Sequence, residues 1–202
     1  QIQNNQWAGL AGIFHPLVYI AAMMPGYTTG NAPDCILLLH LLLLAAAHLA
    51  LFHFLRKIQP VTSIAFLLSL ITVYSPRLLL SFAFAGATTV WVGLILLCAA
   101  IGLYCLNPSG FRGPIGIIGL SYWLISSGFA EETYFGLLGA GLFTLLLPFL
   151  LNAVLPDMKR SPAATLSFWS HTAVYCIIGA FLSAAFVVPF MTDTFREVGL
   201  SS

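Results

Sequence analysis

The sequence predicts an all-α integral membrane protein, a polytopic bundle of about seven transmembrane helices. Hydrophobic residues make up 60% of the 202 positions and charged residues only 6%, whereas a soluble globular domain carries about 25% charged residues. The hydrophobic residues also form long runs, and a helix needs about 20 such residues to cross a hydrocarbon core. These runs do not alternate between apolar and polar residues, so the strands of a membrane barrel are not indicated.

The first two apolar runs end at polar or turn-forming residues. Residues 7–24 end at a Pro-Gly pair, which a polar stretch follows. Residues 35–55 form the cleanest run and end at an Arg-Lys pair. Each run is close to the length that one crossing requires.

The next apolar stretch, residues 61–106, is long enough for two helices and contains one charge, Arg77. The Ser-Pro-Arg sequence at 75–77 is the natural break, so we predict a short span at 61–75 and a long, tilted span at 80–106. If the helix is instead broken inside the bilayer, Arg77 is buried and functional.

A turn rich in Pro, Gly and Ser at 107–113 precedes three further spans. The fifth ends at two glutamates, the sixth at a Pro-Asp pair, and the seventh at a short polar tail. We therefore predict a single transmembrane helical domain over residues 1–202. Its spans are 7–24, 35–55, 61–75, 80–106, 114–130, 134–155 and 164–190.

The charged residues divide unequally between the two ends of the predicted bundle. Five of the seven Lys and Arg residues, with one acidic residue, fall at the end that holds the 2–3, 4–5 and 6–7 loops. Because Lys and Arg favour the cytoplasmic side of a membrane, we predict the N-terminus inside and the C-terminus outside. The net charge of +1 and the lack of a basic patch indicate no nucleic-acid partner. Which membrane holds the chain does not follow from the sequence.

Small residues recur four positions apart in three of the spans. Such pairs let helix backbones approach closely, and we interpret them as packing contacts. The four cysteines form no CxxC motif and are interpreted as buried thiols. The small-residue pairs are Ala8 with Gly12, Gly136 with Ala140, Gly179 with Ser183, and Ala180 with Ala184.

Histidines inside the spans are the main candidates for chemistry, because polar groups are costly to hold in hydrocarbon. A rise of about 1.5 Å per residue places His48 and His171 about 10 Å, and His15 about 12 Å, from the inner ends of their spans. Imidazoles at one depth suit the axial ligation of haem b or a chlorophyll. The alternative is that each histidine bonds a carbonyl or hydroxyl of a neighbouring helix. His40 is a further candidate site residue.

Glu131 and Glu132, at the outer end of the fifth span, are a candidate entry point for a cation or proton. The alternative is that they stabilise the N-terminus of the next helix, where carboxylates are favourable. The sequence contains no Walker loop, HExxH or GxSxG motif and no mid-span lysine. We predict no catalytic residue and no metal site.

Three functional hypotheses remain open. The first is a small subunit of a larger respiratory or photosynthetic-type assembly that contacts other membrane subunits and bound lipid, pigment or haem. The second is a transporter or channel for a small solute, and the third is a membrane enzyme acting on a lipid or isoprenoid. The scarcity of charge within the spans favours the first, since transporters usually hold more polar groups at mid-membrane.

Overall fold

The computed structural model describes residues 20, 22–28, 30–75, 85–127, 130–155 and 160–199. Every regular element in these ranges is an α-helix, as the sequence predicts. The predicted first span, 7–24, lies mostly outside them. The helices run in the order α1 (Ala32–Ile58), α2 (Thr62–Val73), α3 (Ala85–Leu106), α4 (Arg112–Ser126), α5 (Ala130–Val154) and α6 (Pro162–Gly199).

α1 begins after a turn that Asn31 and Thr28 hold together. The Asn31 side chain donates from Nδ2 to a backbone carbonyl of the turn at 2.8 Å and accepts at Oδ1 from Thr28 N at 2.7 Å. The helix carries Asp34 in its first turn and Arg56 and Lys57 in its last. This placement complements the helix dipole, so one long apolar helix has opposite charges at its two ends.

α3 is the central helix of the described bundle. It packs against α1, α4 and α5. Of its apolar stretch Thr88–Leu106, 61% is buried, against 28% or less in the three other long apolar helices. Val90, Leu97 and Ile101 are at most 1% exposed and form the main core with side chains of α4 and α5. A helix that is apolar on all faces is expected in such a surrounded position.

α2 is too short to cross a bilayer by itself. Its 12 residues extend about 18 Å, against about 30 Å of hydrocarbon. Near its C-terminal end, Val73 packs in an apolar cluster with Leu44, Ala47 and Val92, all well inside α1 and α3. α2 therefore ends partway along its neighbours rather than level with their ends.

The most extensive packing between two helices joins α4 and α6. A Cβ atom at Gly179 would lie 2.5 Å from the carbonyl oxygen of Ile118 and 2.7 Å from Cβ of Ser121. Ser183, one turn further along α6, is fully buried. The Gly179–Ser183 pair thus lies on a packed helix face, as the sequence predicts. A side chain at 179 would push the two helix backbones apart.

The helix boundaries differ most from the sequence prediction at the junction of α4 and α5 and at the end of α6. α4 ends at Ser126 and α5 begins at Ala130, so the glutamate pair belongs to the first turn of α5 and not to a preceding turn. α6 continues to Gly199, beyond the predicted end at 190, because polar residues end a membrane span without ending a helix. The stretches long and apolar enough to cross a membrane are Asp34–Ile58, Thr88–Leu106, Thr133–Val154 and Pro162–Ala185.

Candidate functional site

His48 lies on α1 beside the end of α2. Its ring meets Phe66 edge-on, with the centroids 5.1 Å apart, and lies 5.9 Å from the ring of Tyr74. Its Nδ1 atom is buried and has no hydrogen-bond partner among the described residues. His48 therefore places a polar atom in a largely aromatic environment between α1 and α2.

His171 lies on the exposed side of α6. Its Nδ1 is 3.4 Å from the hydroxyl of Tyr104 on α3, a long hydrogen bond, and its ring stacks on Tyr175 with the centroids 6.2 Å apart. The described contacts of His171 and His48 share no residue. Joint ligation of one group by these two histidines stays a prediction.

His40 connects α1 to α3. It is only 4% exposed. Its Nε2 lies 3.1 Å from Oγ1 of Thr89, and its Nδ1 lies 2.8 Å from the carbonyl oxygen of Ile36. The carbonyl of Thr89 also accepts a hydrogen bond from Nε1 of Trp123 at 3.3 Å. Polar contacts therefore continue from α1 through α3 to α4. His40 thus bonds between helices, which is the alternative to ligation of a cofactor.

The other predicted site residues lie outside the described residues or at the start of α5. His15 and Arg77 lie outside the described residues. Glu131 and Glu132 lie in the first turn of α5, and both interpretations of the pair stay predictions. Within the described ranges, no group of three or more His, Cys, Asp or Glu residues is placed to hold a metal ion. Ligation of haem or chlorophyll by a histidine stays a prediction.

A cleft of about 600 Å³ opens where α1 ends and α4 begins, and we call it the basic cleft. α1 contributes His53 and Lys57, and α4 contributes Arg112. Three cationic or polar side chains thus border an opening with largely apolar walls. The rest of the lining comes from α3, α4 and the turn between them: Leu103, Tyr104, Leu106, Asn107, Gly110, Phe111 and Gly113.

The charge around the basic cleft is positive. Lys57 and Arg112 are exposed, and Asp34, the acidic side chain that the structure describes, lies at the opposite end of α1. α4 begins at Arg112, and its N-cap residue Phe111 offers no side-chain acceptor to the first turn. Since the N-terminus of a helix carries a partial positive charge, all of these groups favour an anion.

A second cleft, of about 470 Å³, shares Tyr104 and Leu106 with the basic cleft. Its cationic residue is Arg160, whose guanidinium lies over the ring of Phe168, 5.7 Å from its centroid. The backbone N–H of Arg160 donates to Oδ1 of Asn152 at 3.1 Å, which fixes the start of α6 against the end of α5. Basic residues from the end of α1, the start of α4 and the segment before α6 therefore gather at one end of the bundle.

A third cleft, of about 320 Å³, is almost wholly apolar. It opens between α1, α2 and α3, partway along α3. Its walls suit a hydrocarbon chain better than a hydrated solute, because polar groups in such a place need hydrogen-bond partners. Its lining residues are Leu51, Thr72, Ser75, Trp91, Leu94, Ile95 and Cys98.

The basic cleft is a feature that sequence reasoning missed. Lys57 and Arg112 are visible in the sequence as loop cations, and their count alone gives an orientation. They are 55 positions apart, so their meeting at one cleft depends on how α1 packs against α3. The available signal was that both residues fall at the same predicted end of the bundle.

Comparison of the chain with protein-family models, with curated proteins and with solved structures gives no match.

Proposed function

We propose that the chain is a multi-pass membrane protein that serves as a lipid-contacting subunit of a larger membrane assembly. The observation that carries the proposal is the distribution of apolar side chains. Apolar residues of α3 and its neighbours form the main described core, and α1, α5 and α6 also direct large apolar side chains outward. Leu49, Phe149 and Phe181 are 64%, 59% and 72% exposed. Such surfaces need lipid or other membrane helices around them.

The shapes of the clefts support a lipid as the bound molecule. The basic cleft combines cations with apolar walls, and the cleft bordered by Trp91 and Cys98 is apolar. A solute path needs polar groups along the interior of the bundle. The described centre of α3 carries Leu97 and Ile101, at 0% and 1% exposure, and the polar side chains buried in the described bundle are His40 and serine and threonine hydroxyls. The lack of charge among these buried residues favours the subunit over the transporter.

Seven spans, with the N-terminus inside and the C-terminus outside, are part of this proposal. The proposal places the first span at residues 7–24 and takes the four long apolar stretches in α1, α3, α5 and α6 as further spans. The remaining two spans need the residues that flank α2 and α4, because these helices have only 12 and 15 residues. Lys57, Arg112 and Arg160 border two clefts that share residues, so they lie near one end of the bundle. This gathering supports the assignment of that end to the cytoplasmic side.

The experiment is purification of the tagged chain from its native membrane in a mild detergent. We expect it to elute with other membrane proteins in fixed stoichiometry and with bound lipid. The matched control is the same tagged chain produced in a foreign membrane, where its partners are absent and it should elute alone. An absorption spectrum of both samples tests for haem or chlorophyll directly.

Elution as a single colourless chain from both membranes would contradict the subunit role. The transporter hypothesis is tested with the purified chain in sealed liposomes. Flux of a small solute that His48→Ala or Glu131→Gln reduces would support that hypothesis instead of ours.

A further inference from the structure

We propose that the basic cleft binds the phosphate headgroup of an anionic lipid, with Lys57 and Arg112 as the residues that contact the phosphate. This inference rests on the proposed function, because it needs the surrounding helices to lie in a membrane. It adds a defined site and a ligand class to the general contact with lipid.

The first step is that the cationic groups converge although they come from separate parts of the chain. Lys57 lies in the last turn of α1, Arg112 begins α4, and both line the same opening of about 600 Å³. The bias of basic residues toward the cytoplasmic side explains why they share an end of the bundle. It does not explain why they line one cleft, since the adjacent Arg56 carries the same charge outside its lining.

The second step is the supply of hydrogen-bond donors. Ser109 Oγ donates to Oδ1 of Asn107 at 2.6 Å, which occupies the amide oxygen within the turn and leaves the amide N–H₂ group as the donor. Asn107 and His53 both line the cleft, and α4 begins there with the positive end of its dipole. Lysine, a helix N-terminus and a planar guanidinium are the groups that proteins use for phosphate.

The third step is that the walls select an amphiphile over a free anion. Leu103 and Leu106 on α3 and the exposed ring of Phe111 line the same cleft as the cations. A free phosphate gains nothing from these apolar surfaces, whereas a lipid places its headgroup among the cations and its acyl chains along the bundle. A lipid headgroup and a free phosphate ion both offer a phosphate group to the cations. Only the lipid also gains from contact with the apolar walls, and this difference distinguishes the two ligands.

The test is native mass spectrometry of the purified chain in detergent with phosphatidylglycerol, with phosphatidylcholine of the same acyl chains, or with inorganic phosphate. We expect one phosphatidylglycerol to bind at least about tenfold more tightly than phosphatidylcholine, and inorganic phosphate not to compete at millimolar concentration. The double variant Lys57→Gln/Arg112→Gln should lose this preference by about tenfold or more, because hydrogen bonds to charged groups are lost. Arg56→Gln is the matched control and should keep it.

Two further variants distinguish loss of the binding site from misfolding of the chain. Lys57→Arg/Arg112→Lys keeps both charges and should keep the preference. Gly110→Leu leaves every charge in place. Gly110 lines the cleft and a Cβ atom there meets nothing within 4 Å, so we expect the larger side chain to narrow the cleft and weaken binding. Thermal unfolding of each variant, measured without lipid, checks that the bundle is intact.

Three results would overturn the inference: equal binding of both lipids by the unmodified chain, an unchanged preference in the Gln double variant, or equal loss in Arg56→Gln. Competition by inorganic phosphate at millimolar concentration would overturn the lipid assignment in favour of a free anion. These measurements use the isolated chain, so they stay separate from co-purification with partners. A failed lipid preference therefore leaves the subunit role standing, and a failed co-purification leaves the lipid site standing.

Discussion

The packing of α6 against α4 gives a prediction for the substitution Gly179→Ala. A methyl group at this position would lie 2.5 Å from the carbonyl oxygen of Ile118 and 3.0 Å from the backbone nitrogen of Tyr122. Both atoms belong to the backbone of α4, so no rotamer change can move them away. The two helices must separate, or α6 must shift along α4.

The size of the effect follows from two opposing terms. Overpacking of a close contact costs about 1–3 kcal/mol, and backbone neighbours place Gly179→Ala toward the upper part of that range. Alanine favours the helix over glycine by up to about 1 kcal/mol. The net loss of stability is therefore about 1–2 kcal/mol, which lowers Tm by about 2–8 °C for a chain of this size.

Thermal unfolding of the purified chain in detergent measures this difference. Gly139→Ala on α5 is the matched control, since a Cβ atom there meets nothing within 4 Å and only the gain in helix propensity remains. We expect Gly139→Ala to keep or raise Tm and Gly179→Ala to lower it. Equal Tm values for the two variants would refute the close approach of α4 and α6.

Two further predictions concern single hydrogen bonds between helices. Thr89→Val removes the hydroxyl that lies 3.1 Å from Nε2 of the buried His40, so we expect a loss of about 1–2 kcal/mol. Thr72→Val is its control, because the described hydrogen bond of that exposed hydroxyl is to the carbonyl of Leu68 within α2, and equal effects of the two would contradict an interhelical role. Trp169→Phe removes the indole N–H that donates to the carbonyl of Thr144 at 3.1 Å between α6 and α5. We expect a loss of about 1 kcal/mol and faster proteolysis between these helices, and unchanged values of both would count against that bond.

The helical class and most helix positions could be predicted, because hydrocarbon leaves a helix as the main way to satisfy the backbone. The run at 35–55 corresponds to α1, and the run at 134–155 corresponds to α5. The small residues Gly179 and Ser183 mark a packed face in the sequence and in the structure. These features depend on local composition, which a single sequence contains in full.

The depth of α2 could not be predicted in the same way. The break at 75–77 is visible in the sequence, but composition does not say how far along its neighbours the preceding helix ends. In the structure, Ser75 borders the same cleft as Leu94 and Cys98 of α3. The position at which α2 ends follows from the packing of Val73 against α1 and α3. Such contacts between helices cannot be read from composition.

The candidate site was harder still, because matched depth does not establish neighbouring helices. His48 contacts aromatic rings of α2 and the residue after it, whereas His171 contacts Tyr104 of α3. The basic cleft also depends on which helices are neighbours. Its residues are ordinary loop cations in sequence, and the packing of α1 beside the turn after α3 places Lys57 and Arg112 on the same cleft.

The most direct measurement of the central claim compares the side of the membrane on which α1 begins with the side on which the turns at the basic end of the bundle lie. Single cysteines are placed at Thr28, Ser109 and Ser161 in a background with the native cysteines replaced by alanine, and sealed cells are treated with a membrane-impermeant maleimide. If α1 crosses the bilayer with its basic end inside, Thr28→Cys reacts in intact cells, and Ser109→Cys and Ser161→Cys react only after permeabilisation. Labelling of all three positions from the same side would contradict the account.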